Sequence, residues 1–238
     1  MVFKEKSVPL SQKCEEFFEL LKHDFFTLRV EWRFYRNLFG TNPETVDLLN
    51  KISGSSANTI DRVFFERTLL GLRKLTDPAQ AKRGKSSSVS VKGLLQFPEL
   101  QDQDLKRLVS QAEKACGFAR DWSNRRIAHS DLEYRNGDKP LKTASRQKVE
   151  DAMTAISLPI RWVGTHRLDL HLCTHPIPSV RDESSLLIAL YEGQKVIEKR
   201  AREKAKFLEE KEYEKLTELR KEERNYPEWL IREDPELD

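Results

Sequence analysis

The stretch SQKCEEFFELLKHDFFTLRVEWRFYRNLF, residues 11–39, decides the fold class. Cys14, Phe18, Leu21, Phe25, Leu28, Trp32, Tyr35 and Phe39 follow one another at alternating gaps of four and three. That is the seam of an α-helix that packs against other helices. Phe17, Phe26, Phe34 and Leu38 widen the apolar face, so the helix is central, and Gly40 stops it.

Outward from this seam the helical pattern repeats. Asn42-Pro43 supplies a cap and a first-turn proline. The spacing predicts helix to about residue 75, bent around Ser53-Gly54-Ser55-Ser56, with Ile60, Val63, Phe64 and Leu70 facing the core. Asp77-Pro78 ends it, and residues 79–91 read as a polar loop. A helix is predicted over 105–129, with Leu105, Leu108, Ala112, Ala115, Ala119, Trp122, Arg126 and His129 on one stripe. Its stripe is expected to pack on the 14–39 seam, since each needs a partner for burial. Another helix spans about 143–162 with Val149, Met153, Ile156 and Ile160 inward, and Pro159 kinking it or marking its last turn. Residues 168–180 read as irregular or strand-like, and 184–224 as one charged helix with ion pairs at i,i+4 spacing. The expected organisation is all-α: a helical bundle over residues 1–182 and a charged helical extension over 183–238.

Composition narrows the functional classes. Charged residues make up 34 % and apolar residues 38 %, enough for a core beneath a charged surface. The net charge of +3 is a small difference between 42 basic and 39 acidic groups, so local clustering has to decide about nucleic acid. MVFKEKSVPL lacks the apolar run of a signal peptide, and the densest apolar run, 186–191, is too short to span a bilayer. Cys14, Cys116 and Cys173 are an odd, scattered set that suits a reducing compartment. A cytoplasmic protein without a membrane partner is expected.

The segment RDWSNRRIAHSDLEY, residues 120–134, carries the candidate chemistry. On an α-helix, at about 100° per residue, Arg125 lies about 40° from His129 and Arg126 about 60° to its other side. Arginine offers forked donors for phosphate, and histidine is a proton switch near neutral pH. Together these residue types suit RNA cleavage by its own 2′-hydroxyl, without a metal: His129 moves the proton and an arginine stabilises the charged phosphorane. The plain alternative is a helix end closed by an Arg–His–Asp hydrogen-bond network.

Three stretches, SNRRIAHSD at 123–131, KLTDP at 74–78 and SSVSVKGLL at 87–95, resemble the AbiU-like, abortive-infection branch of the HEPN superfamily. The resemblance covers residues 11–163. It implies a four- or five-helix bundle that forms a homodimer, with paired motif helices making an RNA-cleaving cleft, and a role in phage defence or as the toxin of a toxin–antitoxin pair. On this reading His129 is the proton carrier, Arg125 and Arg126 are the phosphate clamps, and Asn124 and Asp131 orient the substrate. RNA and an antitoxin protein are the implied partners. The superfamily motif opens on an arginine, and Ser123 stands in that seat, so Arg125 or Arg126 must replace it, or the domain binds without cutting. If the empty seat alone disables the site, Ser123→Arg would restore it. Where some toxins carry a tyrosine that an antitoxin modifies, this chain has Asp131.

Other motifs carry less. Lys82, Arg83 and Lys85 beside serines form a basic loop that suits RNA backbone. Gly84-Lys85-Ser86 lacks the leading glycine of a phosphate-binding loop, which here is Ala79. His166, His171, Cys173 and His175 crowd together, but their spacing fits no standard zinc site, so a surface or packing role is expected and no cofactor.

Overall fold

The computed structural model describes residues 9–80, 87–177, 182–223, 226, 227 and 230. Eight α-helices and no strand occur among the described residues, whose one sheet-like contact is an isolated bridge between Gln80 and Ser87. By contact the chain divides into two compact units, Met1–Glu183 and Ser184–Asp238.

In the first unit, α1 (Gln12–Phe39) starts at Ser11, whose Oγ accepts from the Cys14 amide at 3.3 Å and donates to Glu99 at 2.6 Å. Every residue of the eight-membered seam, Cys14 to Phe39, is buried. α2 (Pro43–Lys74) starts at Asn42, whose side chain accepts from the Thr45 amide at 2.8 Å. The expected bend is present at Ser53, where φ −161 and ψ 88 leave the helical region. The two helices run antiparallel. Phe34 meets Phe64 with centroids 5.1 Å apart, Glu31 meets Arg67 at 3.2 Å, and Leu28 packs on Gly71. A Cβ at Gly71 would come within 2.4 Å of Leu28 Cδ1, so this glycine sets how closely the helices approach.

The inward face of α2 differs from the predicted one. Ile60 and Val63 are exposed, whereas Ala57, Thr68, Leu69 and Leu72 are buried. Thr68 enters the core because its hydroxyl returns to the Phe64 carbonyl at 2.9 Å.

After α2 the chain folds back through short 3₁₀ turns, Gly93–Gln96 and Pro98–Leu100, which bury Val91, Leu94 and Leu100. Helix α3 (Gln103–Ala115) starts at Asp102, whose carboxylate accepts from the amides of Asp104 and Leu105. It breaks at Cys116, with φ −89 and ψ 6, and resumes as α4 (Gly117–Trp122). The helix predicted over 105–129 is therefore two pieces and a π turn. α5 (Leu132–Arg135) is one short turn, and α6 (Arg146–Arg167) starts at Ser145. Val149, Met153, Ile156 and Ile160 are fully buried on α6. Pro159 neither ends nor closes this helix, which runs eight residues further to Arg167 with the proline itself buried.

The principal pairings are α1 with α2 and α3 with α6. The direct seam expected between 14–39 and 105–122 is thus replaced by two helix pairs, which α6 joins. Glu150 of α6 accepts from Trp32 Nε1 and Arg36 Nη1, both at 2.7 Å, and lies 3.4 Å from Arg29 Nη1. Arg29 Nε also donates to the Thr174 carbonyl at 3.0 Å, tying the irregular segment after α6 to α1. Burial alone would raise the Glu150 carboxyl, but hydrogen bonds from Trp32 and Arg36 and the nearby guanidinium charges hold it below the ordinary range. The four long elements α1, α2, α3–α4 and α6 form an all-α bundle.

The charged extension divides as well. α7 (Glu183–Glu209) and α8 (Tyr213–Glu223) are separated where Lys211 takes φ +57. The single helix expected over 184–224 is therefore two. Paired charges follow the helical spacing, as in Lys195–Glu192 at 3.0 Å and Lys215–Glu212 at 2.8 Å. No helix among the described residues is long and apolar enough to cross a membrane.

Candidate functional site

The three stretches singled out in the sequence meet at the end of α2. The Val91 amide donates to the Leu75 carbonyl at 2.9 Å, and Ser90 Oγ donates to the Asp77 carbonyl at 2.8 Å. From α4, Arg120 donates to the Thr76 carbonyl at 2.9 Å and to Asp77 Oδ1 at 3.1 Å. Ser123 completes the joint. It is fully buried, and its Oγ accepts from Arg73 Nη1 at 2.5 Å. The buried line of this segment is Leu105, Val109, Ala112, Cys116, Ala119 and Ser123, one position off the predicted stripe that led to Arg126 and His129. A guanidinium does sit at the start of the motif, but it comes from α2 and is held by Asp77, 3.6 Å from Arg73 Nε.

Residues Ser123–Ile127 then form a π turn in which the Ala128 amide reaches back to the Ser123 carbonyl at 2.8 Å. Such turns widen a helix by one residue and are frequent at functional sites. The helix ends here. Arg125, Arg126 and His129 therefore do not share one helical face, and the angles expected of a continuous helix do not apply.

Each motif side chain has its own place. Arg125 is 12 % exposed and ties down the loop that follows: it donates to the carbonyls of Lys139 and Pro140 and lies 3.7 Å from both Asp121 and Asp131. Asp131 caps α5 by accepting from the Tyr134 amide at 2.8 Å. Arg126 donates to Glu66 at 3.1 Å and to the Tyr134 hydroxyl at 2.9 Å, and its guanidinium lies 5.2 Å from the Trp122 ring centre. Partial burial works against its charge, but Tyr134 and Glu66 outweigh that and hold its pKa above the ordinary value. Asn124 and His129 are exposed, and their side chains make no hydrogen bond or ion pair among the described residues.

Around Arg126 a polar cavity of about 290 Å³ opens between α2 and the motif loop. Arg62, Arg125, Arg126 and Arg135 line it, together with Glu66, Ser130 and Tyr134. Arg135 Nε donates to Ser130 Oγ at 3.1 Å, and Ser130 is the residue after His129. Arg62 is exposed, and its side chain has no hydrogen bond or ion pair among the described residues. Four guanidinium groups against one carboxylate give this small cavity a lining whose charge suits an anion. Arg62, Glu66, Arg73, Tyr134 and Arg135 were missing from the sequence reading. Tyr134 lay within the quoted motif, while the others depend on contacts remote in sequence or on loop geometry.

Residues 11–175 match the HEPN family AbiU2. The chain belongs to this family. It is thus an abortive-infection-related HEPN domain, and the bundle described above is that domain's fold. No curated protein and no solved structure matches the chain. Lys82, Arg83 and Lys85 of the basic loop lie outside the described residues. His166 stacks on Trp162 with centroids 4.8 Å apart, and Cys173 Sγ donates to the His175 carbonyl at 3.7 Å. No group of His, Cys, Asp or Glu among the described residues is arranged to hold a metal ion.

Proposed function

We propose that this AbiU2 domain binds RNA through the four-arginine cavity and cuts it at the adjoining His129 without a metal, acting in phage defence. The cavity, lined by the residue that follows an exposed His129, is the observation that carries the reading. A phosphodiester would lie against Arg62, Arg126 and Arg135. The 2′-oxygen attacks its own phosphorus, the bond to the 5′-oxygen breaks, and a 2′,3′-cyclic phosphate and a 5′-hydroxyl result. His129 carries the proton between the 2′-hydroxyl and the leaving oxygen, and Arg126 stabilises the phosphorane charge. Arg125 and Asp131 act by holding the loop rather than by touching substrate. The domain works as a homodimer in which two His129 bends share one cleft, and an antitoxin protein covering that cleft would silence it.

A second reading, RNA binding without cleavage, is favoured by the engagement of Arg126 with Glu66 and Tyr134. Purified protein incubated with labelled single-stranded RNA in a chelator separates the two. Cleavage that disappears in a folded His129→Ala variant supports the enzyme. Salt-sensitive binding without cleavage supports the module, and cleavage that survives His129→Ala refutes the role of His129.

A further inference from the structure

A second, larger groove of about 620 Å³ adjoins the arginine cavity. The two share Arg62, Glu66 and Arg126. Aromatic groups enter here: Tyr35, Phe65 and Trp122 line the groove beside Asp61, Glu66 and the guanidinium groups of Arg62, Arg126 and Arg146. Trp122 and Phe65 meet edge to face with centroids 6.1 Å apart, and Arg126 covers Trp122.

We propose that the two cavities together form a subsite for one guanine nucleotide, its phosphate in the arginine cavity and its base in the aromatic groove. This rests on the reading of the same face as an RNA site and names the unit that it selects. The base stacks on the aromatic side chains that line the groove, surfaces that every base can use. Selection comes from the edges. A carboxylate only accepts, so Asp61 suits a base that presents donors, and guanine alone offers N1–H and N2–H side by side. The two carboxylate oxygens have about four lone-pair sites, enough to accept both donors. The O6 and N7 acceptors of guanine meet arginine donors, the commonest specific pairing for that base. Arg62, at the junction and without a partner, bridges base and phosphate.

Calorimetric titration of the full chain with GMP, AMP, CMP, UMP and inorganic phosphate tests this, beside filter binding of RNA at two salt concentrations. GMP should bind at least about tenfold tighter than the other nucleotides, as one bidentate base contact provides, and phosphate should bind weakest. Asp61→Asn should erase the preference for GMP while leaving a similar weak affinity for all four. Arg62→Ala, at an exposed and unpartnered position, should keep its helical circular dichroism and weaken every nucleotide. The inference falls if GMP binds no tighter than AMP or phosphate, or if Asp61→Asn keeps the selectivity. RNA that binds in a salt-sensitive way while GMP shows no preference removes the subsite and leaves the RNA reading standing. Selective GMP binding by a protein that ignores RNA removes the RNA reading and leaves the subsite.

Discussion

Restoring the superfamily's arginine by Ser123→Arg should cripple the protein rather than activate it. Ser123 is fully buried, and its hydroxyl lies 2.5 Å from Arg73 Nη1. A guanidinium built there would face Arg73 and Arg120 with Asp77 alone to balance them. Two like charges about 4 Å apart cost about 4 kcal/mol at the effective dielectric of such sites. Fitting the longer side chain into a packed joint adds roughly 1–3 kcal/mol. Asp77 returns part of this, so the net loss is about 4–6 kcal/mol, a large share of the 5–15 kcal/mol that holds a domain together. In urea unfolding followed by circular dichroism, with a slope of about 2 kcal/mol per molar, the midpoint should fall by roughly 2–3 M. Ser123→Ala, which removes only one charge-assisted hydrogen bond to a partly exposed arginine, should cost about 1–2 kcal/mol. The transposed pair, Arg73→Ser with Ser123→Arg, keeps one guanidinium and one hydroxyl at the joint and should recover more than half of the loss. An unchanged midpoint for Ser123→Arg would refute this account of the joint, and so would a transposed pair no better than the single variant.

Two further outcomes follow from the burial of reactive and charged groups. Burial pushes the thiols of Cys14 and Cys116 up to about 11 and about 12, and Cys173 alone is exposed, so one thiol should react rapidly with a disulfide reagent in the native protein and three in denaturant; two fast thiols without denaturant would contradict it. Glu150→Gln leaves the buried Arg29 without its carboxylate and should cost about 2–3 kcal/mol at neutral pH, below the 3–5 kcal/mol of a fully buried pair because Arg29 keeps the Thr174 carbonyl. The Glu150 carboxyl is depressed in the fold, so its contribution is complete above the ordinary glutamate range and disappears as pH falls through the lower folded value. The gap between native and variant unfolding midpoints should therefore be widest at neutral pH and close in acid.

What the sequence shows well is the pattern that needs no partner to be read. The α1 seam is 28 residues of unbroken helix, and its alternating gaps place all eight core residues correctly. The inward face of α6 is legible for the same reason. The later half of α2 is not, because Thr68 and Gly71, at the heart of its packing, carry no apolar signal. Helix pairing is also illegible from periodicity. A seam announces that it will be buried and says nothing about which of three other seams will cover it.

The motif segment shows where that limit touches function. Two lines start from Leu105 and share Ala112 and Ala119: one continues through Leu108, Ala115 and Trp122 to Arg126 and His129, the other through Val109 and Cys116 to Ser123. By apolar content the first looks like the core, since it ends on a tryptophan and the second on a serine. The fold takes the second, because Arg73, fifty residues earlier in the chain, reaches the serine hydroxyl and satisfies it where water cannot. That choice rotates the helix by about one residue and sends Trp122, Arg126 and the residues beyond them to the outer surface. Had the first line been buried, Arg126 and His129 would have been spent on packing. With Ser123 as the buried end of the line, Arg126 and His129 are left on the accessible side.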